Sequence, residues 1–279
     1  MDRLIWEQRP TLRNPIALMA FEGWGDAGES SSMAVRHLID EFDAERLAII
    51  DCDDFFDFQV RRPEIELDHE GTRDVRWPDC EVWAVRPFGS ERDLVIVTGH
   101  EPHTRWKAFC RDVVTVLDTL GVGIAVTMGA FIGQVPHTLP VPLVGSSSRP
   151  DLLERHSLFT SGYEGPTGIV GVLNSVLNDA GFETLSVWAA VPHYLSNQEY
   201  PPGGLALLDK VLEIMDLRVD TSELTIAAAE FRQQVDDALA DSEIIDYVQE
   251  LESHSLTGDD SVDPAELLVE EIERFLEDG

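Results

Sequence analysis

Short apolar runs and stretches of helical period alternate along most of this chain. The apolar runs predict buried strands, at residues 16–22, 47–51, 81–85, 93–99, 123–129, 141–144 and 185–191. The stretches of helical period predict helices, at residues 30–42, 106–120, 168–180 and 205–217. Such alternation is typical of a sheet covered by helices on both faces. We therefore expect an α/β fold with a mostly parallel central sheet, in which strands 16–22 and 47–51 form a parallel pair joined by a right-handed crossover.

The composition changes near residue 217. From residue 216 onward the chain contains 20 Asp or Glu residues and three Arg, a net charge of −17. Apolar residues still recur at helical spacing between Leu224 and Leu251, and a later Asp-Pro pair predicts a helix start for residues 265–276. We expect one α/β domain at residues 12–217, followed by an acidic helical extension at residues 218–279.

Three glycines in G-x-G-x-x-G spacing follow the first predicted strand, between residues 23 and 28. This spacing is typical of a dinucleotide site, in which the pyrophosphate binds a helix N-terminus. Glu22, Asp26 and Glu29 surround the glycines, however, and the loop contains no Lys or Arg to bind a phosphate. We expect neither NAD(P) nor ATP to bind, and no other cofactor. A dinucleotide site, with Asp51 at the ribose, stays as the minor alternative.

Asp26 is the first candidate for chemistry, because it follows a strand at the edge where open α/β sheets bind ligands. Its carboxylate is suited to act as a general base or to hold a cation, but Asp in such a position more often caps the next helix.

His100, Glu101 and His103 follow another central strand and offer a donor set that zinc accepts. Because Pro102 interrupts any helical face that the two imidazoles would share, we expect no metal site.

His137 and His193 also fall at strand ends or in the loops that follow them. Such loops converge at one edge of a doubly wound sheet, which allows a pocket lined by Asp26, His100, His137 and His193. The sequence contains no G-x-S-x-G nucleophile elbow and no P-loop. Covalent catalysis by a serine is therefore not indicated.

Five segments carry a family resemblance: EGWGDAG (22–28), GHEPHTRW (99–106), TMGAFIGQVPHTLP (127–140), YEGPTGIVGVL (163–173) and VWAAVPHYL (187–195). With them the chain resembles the proteasome assembly chaperone 2 family over about residues 16–217. The resemblance implies a three-layer α/β/α fold, similar to that of purine nucleoside phosphorylases and related hydrolases. It also implies an assembly or scaffold role, with no established chemistry and no catalytic residue to carry over.

From this resemblance we expect a non-catalytic, chaperone-like protein that binds other proteins and forms a homo-oligomer, either a trimer or a tetramer. A proteasome-related protein is one candidate partner. The loops expected to contact a partner or ligand present twelve residues: Glu22, Trp24, Asp26, His100, Glu101, His103, Arg105, Trp106, His137, Glu164, His193 and Tyr194. The alternative is a small-molecule hydrolase or a nucleosidase/phosphorylase-like enzyme, which would use Asp26 and a strand-end His as acid and base.

Charge narrows the range of partners. The chain has 53 Asp or Glu residues against 20 Lys or Arg, a formal net charge of −33. Such a field repels nucleic acid and anionic membranes, whereas basic protein surfaces are compatible with it. No apolar run approaches the ~18 residues of a membrane span. The spacing of Cys52, Cys80 and Cys110 is typical neither of a disulfide framework nor of a zinc site. We expect a cytoplasmic protein with buried, reduced thiols.

We predict that the melting temperature rises between 10 mM and 500 mM sodium chloride. A net charge of −33 repels itself in the compact state, and the Debye length falls to about 10 Å at 0.1 M salt, which screens that repulsion. Differential scanning calorimetry across this range measures the effect. A melting temperature that stays constant or falls would contradict the prediction.

Overall fold

The computed structural model describes residues 3–67, 71–240 and 244–256. The strands are β1 (Leu4–Trp6), β2 (Ile16–Glu22), β3 (Glu45–Ile50), β4 (Glu64–Leu67), β5 (Arg73–Arg76), β6 (Cys80–Val85), β7 (Leu94–His100), β8 (Ile124–Gly133), β9 (Leu143–Ser147), β10 (Phe159–Thr160) and β11 (Glu183–Pro192). The helices are α1 (Ser30–Glu41), α2 (Trp106–Leu120), α3 (Pro150–Arg155), α4 (Ile169–Asp179), α5 (Pro201–Met215), α6 (Ser222–Leu239) and α7 (Ile244–Leu256). The helix predicted at residues 265–276 lies outside the described residues.

Nine strands form one mixed sheet in the order β1-β3-β6-β7-β2-β8-β11-β9-β10, and β4 and β5 form a separate hairpin. The four central strands, β7, β2, β8 and β11, are parallel to one another. Antiparallel pairs lie to either side of them. The expected α/β class is confirmed. Because the central strands run in one direction, their carboxyl ends meet at one edge of the sheet, where Glu22 of β2 lies opposite His100 of β7.

The expected parallel pair of β2 and β3 is wrong. β3 pairs antiparallel with β1 and β6, and the strands β6 and β7 separate it from β2. β6 and β7 are consecutive in the chain and pair antiparallel with each other. The apolar pattern of a strand reports that it is buried, but it does not report which strand lies next to it.

Alternate side chains of β2 enter two separate cores. One face packs with α1 and α5 and the other with α2 and α4; the first receives Ile16, Leu18 and Ala20, and the second receives Ala17, Met19 and Phe21. Because a strand that is apolar on both faces has to be covered on both, helices lie above and below the sheet. The apolar run of β2 is continuous in the sequence because both faces of the strand are buried.

The first part of the acidic extension packs on the α/β body. Leu224 and Val235 of α6 join the core formed by α1 and α5, and the ring of Phe231 contacts that of Tyr200 edge-on, with 5.6 Å between centroids. In the described part of the chain, no helix combines the length and apolarity needed to cross a membrane.

Several elements have no counterpart in the sequence prediction: β1, β4, β5, β10 and α3. They are two to six residues long, and all residues of β4, β5 and β10 are exposed. Short, exposed segments have no buried face and so leave no hydrophobic period to detect.

The thiols of Cys80 and Cys110 are free and buried as expected, whereas the side chain of Cys52 lies outside the described part.

We predict that Gly129→Ala lowers the free energy of unfolding by about 1–3 kcal/mol, the usual cost of overpacking. Gly129 lies opposite Trp188 in the β8–β11 pair, and a Cβ there would come within 2.4 Å of the indole. Gly123 precedes β8, and no heavy atom lies within 4 Å of its Cβ position. Gly123→Ala is the matched control, expected within about 0.5 kcal/mol of the wild type. Urea unfolding that shows equal losses for both variants would contradict the prediction.

Candidate functional site

Asp26 fixes the loop between β2 and α1. Its side chain is 6% exposed, and Oδ1 accepts hydrogen bonds from the Ser31 N–H (2.7 Å), the Ser31 hydroxyl (2.6 Å) and the Ser32 N–H (3.3 Å). The two backbone N–H groups belong to the first turn of α1 and have no partner within the helix itself. Asp26 therefore acts as a helix cap, one of the two roles considered from the sequence.

Burial raises the pKa of the Asp26 carboxyl above its ordinary value, and the hydrogen bonds from Ser31 and Ser32 oppose that rise. The other carboxyl oxygen, Oδ2, is buried and has no hydrogen-bond partner within the described residues. Asp26 thus holds the helix with one oxygen and leaves the second unsatisfied.

Glu101 connects the loop to a second helix. Its backbone N–H donates to the Glu22 carbonyl at 2.8 Å. The carboxylate accepts from the Ile169 N–H at the start of α4 (2.6 Å) and from the Trp24 N–H (3.4 Å). The three contacts join the end of β7, the Gly-rich loop and α4. Glu101 is therefore placed to hold Trp24 in position.

Glu22 lies at the end of β2 between a histidine and an arginine. Its carboxylate is 2.9 Å from His100 Nδ1 and 3.3 Å from Arg36, which also binds Glu29 at 3.0 Å. The hydrogen bond from His100 is the main reason that the pKa of Glu22 is lowered, although burial opposes it. His100 is therefore committed to a carboxylate at the sheet edge.

The other residues of the His100 segment are engaged elsewhere. His103 Nδ1 accepts from the Asp57 N–H at 2.9 Å, Arg105 forms an ion pair with Asp54, and the indole N–H of Trp106 donates to the Pro102 carbonyl. Across the described ranges, no group of three His, Cys, Asp or Glu side chains is arranged to hold a metal ion. The segment serves mainly to hold the chain around residues 54–57.

His137 and His193 lie apart from this site. The His137 N–H donates to the Tyr194 hydroxyl oxygen (2.9 Å), that hydroxyl contacts Nδ1 (2.8 Å), and Nε2 is 3.2 Å from Asp236 of α6. Burial raises the pKa of Tyr194 to about 12. His193 packs edge-on against the rings of Tyr194 and Tyr247. Helix α6 thus contacts His137, and helix α7 contacts His193.

Two cavities flank the Gly-rich loop. The large cavity has a volume of about 1110 Å³ and the small cavity about 480 Å³, and both are lined by Trp24 and Asp26. His100 and His103 line the small cavity. Neither cavity is lined by His137 or His193. Neither cavity therefore brings together the four residues of the pocket that the sequence allowed, and His137 and His193 contact the C-terminal helices instead.

Some residues of the large cavity were missed by the sequence analysis. Asn174 of α4 and Trp188 of β11 both line it, as does Tyr163. Asn174 and the neighbouring Ser175 interrupt the apolar run IVGVLNSVL, and this was the available signal. Glu164, which was predicted at the site, is exposed in the loop beside Tyr163.

Comparison of the chain with known proteins identifies its family. A family model described as the PAC2 family matches residues 20–239, most of the chain. The chain belongs to the PAC2 family. The family match extends through α6, so that helix lies inside the shared region. The resemblance drawn from the five motifs is confirmed.

Solved structures of PAC2 proteins share the fold. A PAC2 family protein from Streptomyces avermitilis MA is 45% identical, with a TM-score of 0.79, over 84% of this chain and 99% of that one. A Mycobacterium tuberculosis proteasome-assembly chaperone homologue is 36% identical, with a TM-score of 0.77, over 85% and 99%. Pyrococcus furiosus PbaB, an archaeal proteasome activator, is 18% identical over 84% and 97%, with a TM-score of 0.67, and shares the fold.

We predict that Asp26→Asn gains stability relative to the wild type as the pH rises. A carboxyl whose pKa is raised on folding destabilises the folded state above that pKa, and the penalty disappears as the pH falls toward the ordinary Asp value of 3.8. Asn keeps the acceptor for Ser31 and removes the buried charge. The difference in melting temperature, variant minus wild type, should be larger at pH 8 than at pH 5. A difference that shrinks over this interval would contradict the sign.

Proposed function

We propose that this PAC2 protein is a non-catalytic, assembly-chaperone-like protein that binds a protein partner through the strand-end edge of its sheet. Its relatives include a proteasome-assembly chaperone homologue at 36% identity, which supports a proteasome-related partner. The described site supports binding more than catalysis, since Asp26 Oδ1 is occupied by the N-terminus of α1.

The observation that carries the proposal is an exposed apolar patch on a fixed backbone. Trp24 is 53% exposed, Val60 71% and Ile132 39%. Val60 lines the small cavity with Trp24, and Ile132 lines the large cavity with Trp24. We call these three side chains the strand-end patch. An exposed Trp with further exposed apolar side chains on either side of its loop is typical of protein interfaces.

Charge defines the kind of surface that fits the patch. Glu22 and Glu29 adjoin it, and the whole chain carries a net charge of −33. An apolar partner surface rimmed by Lys or Arg would be attracted and correctly oriented by this field. In the proposal, the acidic helical extension of residues 218–279 adds to the same attraction and the domain of residues 12–217 carries the patch.

Self-association in the cytoplasm is the second part of the proposal. We propose a closed homo-oligomer, a trimer or a tetramer, because a lone subunit leaves Trp24 and its apolar neighbours in water. The free, buried thiols of Cys80 and Cys110 fit a reducing compartment. Light scattering that reports a single species of about 31 kDa, the mass of one chain, would contradict the oligomer.

The enzyme alternative has weaker support. It needs Asp26 and a histidine as acid and base, and of the three candidate histidines only His100 shares a cavity with Asp26 in the described part of the chain. His100 lies 2.9 Å from Glu22 instead. A nucleophile and base within hydrogen-bond distance, the usual sign of such chemistry, is not formed by these residues.

We predict that Trp24→Ala abolishes recovery of proteasome subunits in an affinity pull-down from the native lysate. The substitution removes the largest apolar side chain of the patch, and Trp is often an interface hot spot whose loss costs about 2 kcal/mol or more. Phe88→Ala is the matched control, because Phe88 is fully exposed in the turn before β7, at the opposite edge of the sheet.

Mass spectrometry of the eluates compares the two variants with the wild type. Equal melting temperatures of the three proteins first show that both variants are folded. Recovery of the same subunits by the wild type and Phe88→Ala supports the proposal. Equal recovery by Trp24→Ala, or no proteasome subunit with the wild type, would refute it.

A further inference from the structure

Two residues that line the large cavity, Asp26 and Asn174, each carry a buried acceptor that no described residue satisfies. Asp26 Oδ2 and Asn174 Oδ1 have no hydrogen-bond partner among the described residues, and both residues line the cavity. The other atoms of these side chains are used, because Asp26 Oδ1 holds the start of α1 and Asn174 Nδ2 donates to Ser146 at 3.5 Å. Buried polar atoms are almost always paired. Two orphan acceptors on one cavity therefore point to a bound group that donates hydrogen bonds.

Charge restricts the sign of that group. The charged residues that line the large cavity are Asp26, Glu29 and Glu199, and Lys and Arg are absent from its described lining. Two arginines lie near this rim without lining the cavity: Arg36 is paired with Glu29 and Glu22, and Arg61 lies 3.9 Å from Glu22. An anion would be repelled, whereas an ammonium group would neutralise the buried Asp26 carboxylate.

Aromatic side chains define the rest of the ligand. Trp24, Phe131, Tyr163 and Trp188 line the cavity, and Trp188 is fixed by its indole N–H, which donates to Ser186 at 2.8 Å. Aromatic faces attract cations and stack on planar rings. A volume of about 1110 Å³ is slightly larger than that of most pockets that hold drug-sized ligands, roughly 300–1000 Å³.

We propose that the large cavity is a binding site for a small cationic aromatic amine, whose ammonium donates to Asp26 Oδ2 and whose ring lies against Trp188. A further donor on the ligand satisfies Asn174 Oδ1. This site adjoins the strand-end patch and shares Trp24 and Ile132 with it, whereas Asp26, Asn174 and Trp188 belong to the cavity alone.

Tryptamine and indole-3-propionate form a matched pair of probes, because they share the indole and the two-carbon chain and differ in the sign of the terminal charge. Isothermal titration calorimetry in 150 mM sodium chloride, which screens the surface charge, measures both against the wild-type protein. We expect tryptamine to bind at least tenfold more tightly than indole-3-propionate. Equal affinities, or no heat from tryptamine up to 5 mM, would overturn the proposal.

Variants locate the site within the chain. Asp26→Asn should weaken tryptamine binding at least tenfold, whereas Asp179→Asn, an exposed position at the end of α4, should bind as the wild type does. Asn174→Leu removes the second acceptor and should weaken binding at least threefold, and it tests the site even if Asp26→Asn fails to fold. Wild-type affinity in Asn174→Leu, or an equal loss in Asp179→Asn, would show that the amine binds elsewhere and would refute the assignment. These affinities are independent of the pull-down result.

Discussion

The buried carboxylate of Asp26 is the interaction on which the edge formed by the carboxyl ends of the central strands depends. By accepting from the amides of Ser31 and Ser32, it joins the end of β2 to the start of α1 through a loop only a few residues long. Gly28 has φ +59°, and a Cβ there would come within 2.6 Å of that of Tyr200. The loop is therefore fixed at both ends, and the half-exposed Trp24 projects from a fixed backbone.

The parallel register of the four central strands brings this loop to the other parts of the site. β2, β7, β8 and β11 end at the same edge, so Glu101 after β7 reaches both Trp24 and the first amide of α4. The N-termini of two helices, α1 and α4, are thus each bound by a carboxylate from the same edge. Helix dipoles favour negative charge at these positions. The arrangement fixes an exposed Trp beside a cavity, and in the described part of the chain it does not bring Asp26 into hydrogen-bond contact with a histidine.

Local pattern and local chemistry were enough to predict much of this structure. The apolar run of β2, the period of α1 and the capping role of Asp26 all depend on residues close in sequence. The position of β3 could not be predicted, because strand pairing is a long-range choice. His137 was placed wrongly in a shared pocket for a similar reason: its contact with Asp236 spans 99 residues. Asn174 could be recognised as a polar residue in a mainly apolar helix. Helical periodicity, however, predicts only the side of the helix on which a residue lies, and not whether that side lines a cavity.

Site-specific photo-crosslinking in living cells tests the central claim, that the strand-end patch is the partner-binding face. A benzophenone amino acid placed at position 24 should, after irradiation, form a covalent product with a proteasome subunit or a second copy of this chain. The same group at position 88, on the opposite edge, should give no such product. Products at position 88 alone, or at neither position, would contradict the account.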